Sequence, residues 1–345
     1  MKKPILLSVI MCMVFMQLKA QDTLRPFNDW ESIAFCSFEE HHPFYYINLD
    51  NNWEIMYNLR TPMTRKQLND KGIRFNESQL AILKLAGFIE EKDKALKTTM
   101  PIFDESQTTQ IRNLSRQLAE KTFKDSEADY RNFVKVLESK GLKDNAFSLT
   151  FSYVLDFLNW GLITPKKQAI SHQKLWDGII FTQFAPRNTQ TYGTNSSDGV
   201  SITWNSYLKS YPDQKLLTQF SKEVKANGRI LDVNLAKALS AFGLVDEKGN
   251  VRIPVISMED EESDINTVAI PILMKNAKGL SEGIGKMKEI GKLDNDNYAK
   301  VVLYHEMMWD IVDLLVKKQI ISVPSILQKG SSDKAEYRKI TYIIQ

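Results

Sequence analysis

Cysteine and histidine are scarce in this 345-residue sequence, which holds two of the first and four of the second. Cys12 lies in an apolar N-terminal stretch, so loss of that stretch leaves Cys36 alone and excludes an intramolecular disulfide. Stability must then come from packing. The histidines are His41, His42, His172 and His305, and no single motif among them supplies a closed metal site. Gly-x-Ser-x-Gly, phosphate-loop and dinucleotide fingerprints are missing, which removes positive grounds for those chemistries. An excess of one charge sign is missing too. The whole chain is +3, and loss of Lys2, Lys3 and Lys19 brings it to zero. Strong attraction to nucleic acid or to an anionic membrane is therefore not expected. After the N-terminal stretch, no run reads as long and apolar enough to cross a bilayer, so a mature chain without a transmembrane segment is expected.

The chain opens with Met1-Lys2-Lys3, an apolar stretch from Pro4 to Met16, and Gln17-Leu18-Lys19-Ala20 before Gln21. A basic start, a short apolar run and a small residue are the order of a signal peptide, here residues 1–20. Export to the periplasm, cell surface or medium follows. Two alternatives remain open: a hydrophobic first helix that is retained, and a lipoprotein acylated at Cys12, although Met11 before it is bulky.

The remainder carries an internal match. Trp30-Glu31-Ser32-Ile33-Ala34-Phe35-Cys36-Ser37-Phe38 aligns with Trp176-Asp177-Gly178-Ile179-Ile180-Phe181-Thr182-Gln183-Phe184. Each is followed by a polar loop and a second Trp near a Tyr, Trp53 with Tyr57 and Trp204 with Tyr207. Further on, residues 64–92 align without gaps on 220–248. Lys66, Gly72, Leu83, Gly87, Glu91 and Lys92 fall on Lys222, Gly228, Leu239, Gly243, Glu247 and Lys248. The expected organisation is a tandem duplication: repeat 1 over 21–165, a linker over 166–172, repeat 2 over 173–324 and a tail over 325–345.

Within the matched block, Thr64 with Gln67 and Asn76 with Gln79 have the capping-box pattern of two successive helices. Leu68, Leu80 and Leu83 take the core-facing positions, Gly72 breaks the first helix and Gly87 ends the second. Phe88-Ile89 begins a strand, Glu90 to Lys94 reads as a charged turn, and residues 96–103 return as a second strand. In this order the segment Leu83-Lys84-Leu85-Ala86-Gly87-Phe88-Ile89, matched by Leu239-Ser240-Ala241-Phe242-Gly243-Leu244-Val245, resembles the winged helix-turn-helix families of MarR and ArsR type. The resemblance covers about forty residues per copy. It implies an α+β fold in which each copy has a winged-helix-like segment, and the apolar periodicity after it predicts a helical bundle. Ile111, Leu114 and Leu118 share one helix face, Phe133, Val134 and Leu137 a next helix, and residues 147–160 a buried one. The resemblance also raises DNA binding. The second helices offer Glu77, Gln79 and Lys84, or Asp232, Asn234, Lys237 and Ser240, with acids as prominent as bases, so no nucleic-acid partner is expected.

Catalytic candidates are few. His305-Glu306 starts a zinc-protease-like signature, but Trp309 stands where the second ligand belongs. The expectation is instead a polar-faced helix with Met307, Met308 and Ile311 packed inward. Glu39-Glu40-His41-His42 gathers metal-capable groups without closing a site, and Asp294 to Asn297 reads as a turn and cap rather than a calcium loop. The acidic run from Glu259 to Asp264 reads as a solvated loop. Neither a metal nor a cofactor is expected. The copies diverge most between the matched strand and the second Trp, and such loops are where function varies on a shared scaffold. This singles out His41, His42, Tyr45 and Tyr46 in the first copy, and Arg187, Asn188, Tyr192, Asn195 and Asp198 in the second. Aromatic rings with amides suit a protein or glycan ligand. The leading expectation is an exported, non-catalytic binding protein. A hydrolase with a site at the junction of the repeats is the alternative, with a DNA-binding protein behind it.

Overall fold

The computed structural model describes residues 24–38, 40–163, 175–258 and 264–345. The expected signal peptide at 1–20 and the expected linker at 166–172, with Glu39, His172 and all of the acidic run except Asp264, lie outside the described residues. The fold is mixed α and β with small sheets. It divides into two compact units, one from residues 1–102 and 171–186, the other from residues 103–170 and 187–345.

In the first unit, β1 (Glu31–Phe38) pairs antiparallel with β6 (Trp176–Gln183). These are the two matched Trp-to-Phe segments. The sequence match sets Ala34 on Ile180, and the sheet register pairs the same two residues, so a local dyad passes between them. The matched strands therefore share one sheet. Between them in the chain come α1 (Phe44–Ile47), α2 (Asn52–Asn58), β2 (Met63–Thr64), α3 (Arg65–Asp70), α4 (Glu77–Leu85), β3 (Ile89–Lys92) and β4 (Ala95–Thr98). The last three strands form a sheet in the order β2-β4-β3.

Local chemistry sets these boundaries. Thr64 and Asn76 each accept from the amide three residues on, and Gln67 and Gln79 reach back to complete both capping boxes. Gly72 and Gly87 adopt φ of 79° and 73°, left-handed values that a β-carbon disfavours. The expected charged turn is shorter than residues 90–94: the strand runs on to Lys92, and only Asp93 and Lys94 turn, both at positive φ. Leu68, Leu80, Leu83, Phe88 and Leu96 close the core. Trp176 stacks on Phe88 and donates its indole N–H to the Ala86 carbonyl at 2.8 Å, which anchors β6 on the end of α4.

The chain passes into the second unit through β5 (Ile102–Phe103). There α5 is a single helix over Glu105–Ser139, so Ile111 and Phe133 lie on one element rather than two. It packs with α9 (Asp264–Gly291) and α10 (Asp296–Lys317). A β-carbon at Gly279 or Gly283 would collide with Thr122 or with Leu118 and Leu303, so those glycines permit close helix approach. Helix α6 (Lys143–Ile163) carries the buried stretch expected at 147–160, and departs only from the expectation that no later run is apolar and long enough to span a bilayer. It is long and apolar enough to cross a membrane, but two thirds of that apolar stretch, 67%, is buried within the fold. Its middle, Leu149–Leu158, is π-helical.

Helix α7 (Gln214–Asn227) and α8 (Val233–Ser240) repeat the local details of the first unit. Asp232 caps α8 as Asn76 caps α4, and Gly228 and Gly243 both take φ of 69°. A minimal hairpin through Val245 and Val251 follows. The surroundings of the second Trp do not repeat. Trp53 sits on α2, whereas Trp204 sits in strand β8 (Val200–Asn205). That strand belongs to a sheet ordered β7-β8-β10-β9, with β7 at Tyr192–Ser197, β9 at Val255–Ile256 and β10 at Thr341–Ile344. The end of the expected tail is thus an interior strand, antiparallel to β8 and parallel to β9.

Candidate functional site

The polar centre of the second unit is built on α10. Val301 through Val312 are all buried, contrary to the polar-faced helix expected there. Glu306, Asp310 and Asp313 recur at helical spacing and so share one face. Arg187, whose side chain is only 6% exposed, reaches that face. One of its Nη groups donates to Glu306, and the other donates to Asp310 at 2.5 Å and lies 3.9 Å from Asp313. From α5, Ser115 donates to the second Asp310 oxygen at 2.5 Å and Arg112 lies 3.8 Å from Glu306.

Burial alone would lower the Arg187 pKa, but Glu306, Asp310 and Asp313 outweigh it and hold the guanidinium firmly protonated. Burial raises Asp313, against a hydrogen bond from Thr189 and the nearby Arg187 charge. The guanidinium also lies 5.7 Å from the Trp309 ring centre, and the Trp309 indole donates to the Tyr192 carbonyl at 2.8 Å. These contacts clamp residues 187–192 onto α10. They also saturate the charges, since each carboxylate on that face has a cation or hydroxyl against it. His305 is committed elsewhere. Its Nδ1 faces the Val301 carbonyl at 2.9 Å, which requires the Nδ1–H tautomer, and burial lowers its pKa to about 4. It is a neutral donor in a packed interior.

A cleft of about 700 Å³ opens beside the clamp, within the usual range of ligand pockets. Its wall takes Gln190 and Tyr192 from the clamped loop, Tyr207 after β8, and Val134 and Ala146 from α5 and α6. The segment after α10, from Gln319 to Val323, and residues 327–329 complete it. The lining carries three glutamines, two tyrosines and the ammonium groups of Lys143 and Lys329, with neither a carboxylate nor an imidazole. Lys143 is held by Glu138 at 2.6 Å.

The residues singled out by sequence divide between the units. In the first, His41 stacks on Tyr45 with centroids 4.9 Å apart, and Tyr45 is exposed while Tyr46 is buried. His42 accepts the Phe44 amide at 3.2 Å, and burial lowers its pKa. In the second, Arg187 is an interior clamp rather than an exposed contact. Asn188 and Asn195 are exposed. Tyr192 reaches the cleft. Asp198, with Gly199, forms the tight turn between β7 and β8, both at positive φ, and accepts from Thr218 at 2.5 Å. The expected loop is therefore largely a hairpin.

Sequence reasoning missed the pairing of Arg187 with Glu306 and Asp310. The one available signal was the four-residue spacing of two acids within an otherwise apolar helix. Among the described residues, no group of three or more His, Cys, Asp and Glu side chains is arranged to hold a metal. Cys36 is half-buried, and burial pushes its thiol up to about 11. Comparison with protein-family models, curated proteins and solved structures found no match.

Proposed function

We propose that this chain is an exported protein that binds a protein segment or a surface glycan and performs no chemistry. The observation that carries the reading is the cleft. Its apolar floor with amide, hydroxyl and ammonium groups offers recognition without an acid–base pair or an activated nucleophile. The ion cluster beside it is compensated within the protein, so its carboxylates serve to hold the wall of the cleft.

In the same reading, the chain arose by tandem duplication and each copy retains a winged-helix-like segment. The support is one pair of side-chain caps at equivalent positions, Asn76 and Asp232, and the matching positive-φ glycines. DNA recognition is not part of the proposal. Arg65, the cation beside the second helix of the first copy, is taken up by Glu77 at 3.0 Å and Glu91 at 2.5 Å, and Lys84 by Glu91 at 3.0 Å.

The test is to purify the secreted form, sequence its N-terminus, and screen it on glycan and peptide arrays alongside general glycosidase and peptidase substrates. Cleavage near Gln21 and saturable binding that Tyr207→Ala weakens, without turnover, are expected. Reproducible turnover would favour the hydrolase alternative, and an intact Met1 on an abundant cytosolic form would refute export.

A further inference from the structure

We propose that the cleft of the second unit receives an extended peptide that pairs, main chain to main chain, with Ile321-Ser322-Val323. This rests on the binding reading above and names its ligand class.

The first ground is hydrogen-bond bookkeeping. Helix α10 ends with the Ile320 amide bonded back to the Leu315 carbonyl, and the next ordered turn begins at Pro324. Between them, no described residue accepts a hydrogen bond from the N–H of Ile321, Ser322 or Val323, and none donates to the carbonyls of Ile321 or Ser322. Ile321 is itself a buried residue, 5% exposed. Ser322 is exposed and Val323 half-buried, so their open backbone groups are met by water, and a run of them along a cleft wall leaves donors and acceptors for a partner's backbone to take over.

The second ground is conformation. A residue before proline is driven to extended φ and ψ, which applies to Val323 ahead of Pro324, and Pro324 itself sits at φ −57° and ψ 146°. The Gln328 side-chain Nε2 donates to the Val323 carbonyl at 3.0 Å and fixes that end of the segment. Ile321 stands at a bend, and the segment from Ser322 into the extended Pro324 lies outside helix and sheet, so its open donors and acceptors offer a short template on which a peptide can add by main-chain pairing.

Charge completes the specification. The lining has two ammonium groups and no carboxylate. Lys143 is already paired, while the Lys329 ammonium makes no ion pair among the described residues. A peptide with an acidic side chain or a free C-terminal carboxylate next to apolar residues matches this end of the cleft, with Leu327 and Tyr207 to pack against.

The experiment begins with a random decapeptide library displayed on phage and selected on the full mature protein. The best binders are then remade with single backbone N-methyl groups at each position. Strand pairing predicts that N-methylation lowers affinity tenfold or more at alternate positions only, because successive amides point to opposite sides. Lys329→Glu should weaken acidic binders several-fold and flatten their salt dependence. Ser322→Pro, which removes one open N–H at an exposed position, should lower affinity comparably, and the N-methyl scan on unaltered protein decides the matter if that variant misfolds. N-methylation without effect at any position, or with effects that follow a helical period, would overturn the proposal. So would glycans that bind and are lost in Tyr207→Ala while no peptide is selected, a result that leaves the binding reading standing. Absence of any ligand on either array would remove both.

Discussion

Arg187→Met should be among the most damaging single substitutions in the second unit, and its effect should depend on pH in a defined direction. The guanidinium is almost wholly buried against Glu306, which has no exposed side-chain surface, and against Asp310. Removing one partner of a buried ion pair costs about 3–5 kcal/mol, because the remaining charge is left desolvated. Other contacts survive, among them Arg112 at 3.8 Å from Glu306 and the Ser115 hydroxyl that still donates to Asp310. They place the expected loss at the low end, about 3 kcal/mol. For a cooperative unit of roughly 200 residues that is a fall in Tm of about 6–12 °C at pH 7. Without Arg187, burial favours the protonated form of Glu306. A carboxyl whose folded form holds its proton more tightly than the unfolded form destabilises least at low pH. The gap between variant and parent should therefore narrow as pH falls from 7 towards 4. Thermal melts across that range, read by near-ultraviolet circular dichroism, supply the measurement. Equal melting at pH 7, or a gap that widens in acid, would refute the account of Arg187 as a charge-compensating clamp.

His305 and Asp156 should push the acid dependence of the parent in opposite directions. His305 has a folded pKa lowered to about 4 from 6.5 by burial, so the unfolded chain takes up a proton that the folded chain refuses. Stability is lost as pH falls from 6.5 towards 4, by up to about 3 kcal/mol, and His305→Gln should lose less over that range. Asp156 is raised to about 6, chiefly by burial. It adds stability as pH falls from 6 towards 4, and Asp156→Asn should lack that gain in the same melts. Gly87→Val should cost on the order of 1 kcal/mol for its left-handed φ. Gly243→Val should cost clearly more, since its β-carbon would also strike the Ala335 carbonyl; equal melting of the two would refute that contact. Mobility shifts at low salt should show duplex DNA bound no better than by a neutral control protein. Micromolar binding that weakens steeply with salt would restore the DNA reading.

Capping boxes at Thr64 and Asn76, the glycine helix ends at Gly87 and Gly243, and the core positions of Leu68, Leu80 and Leu83 were all legible in the sequence. Each depends on residues within a few positions of one another, where backbone geometry alone decides the outcome. The matched Trp-to-Phe segments were legible too, but not that they would pair with each other around Ala34 and Ile180, since strand pairing is a long-range choice. Continuity of α5 past Leu118 was missed because polar residues interrupt its apolar face without breaking the helix. Arg187 lies 119 residues before Glu306, so by sequence it was a loop cation and Glu306 part of a failed metal motif. The open backbone of residues 321–323 is also invisible in composition, since any residue can leave an amide unpaired. Local sequence fixes caps, turns and periodicity through short-range sterics and hydrogen bonds. Which charges are compensated and which backbone groups stay open depends on how distant segments pack, and that was decided only in the tertiary structure.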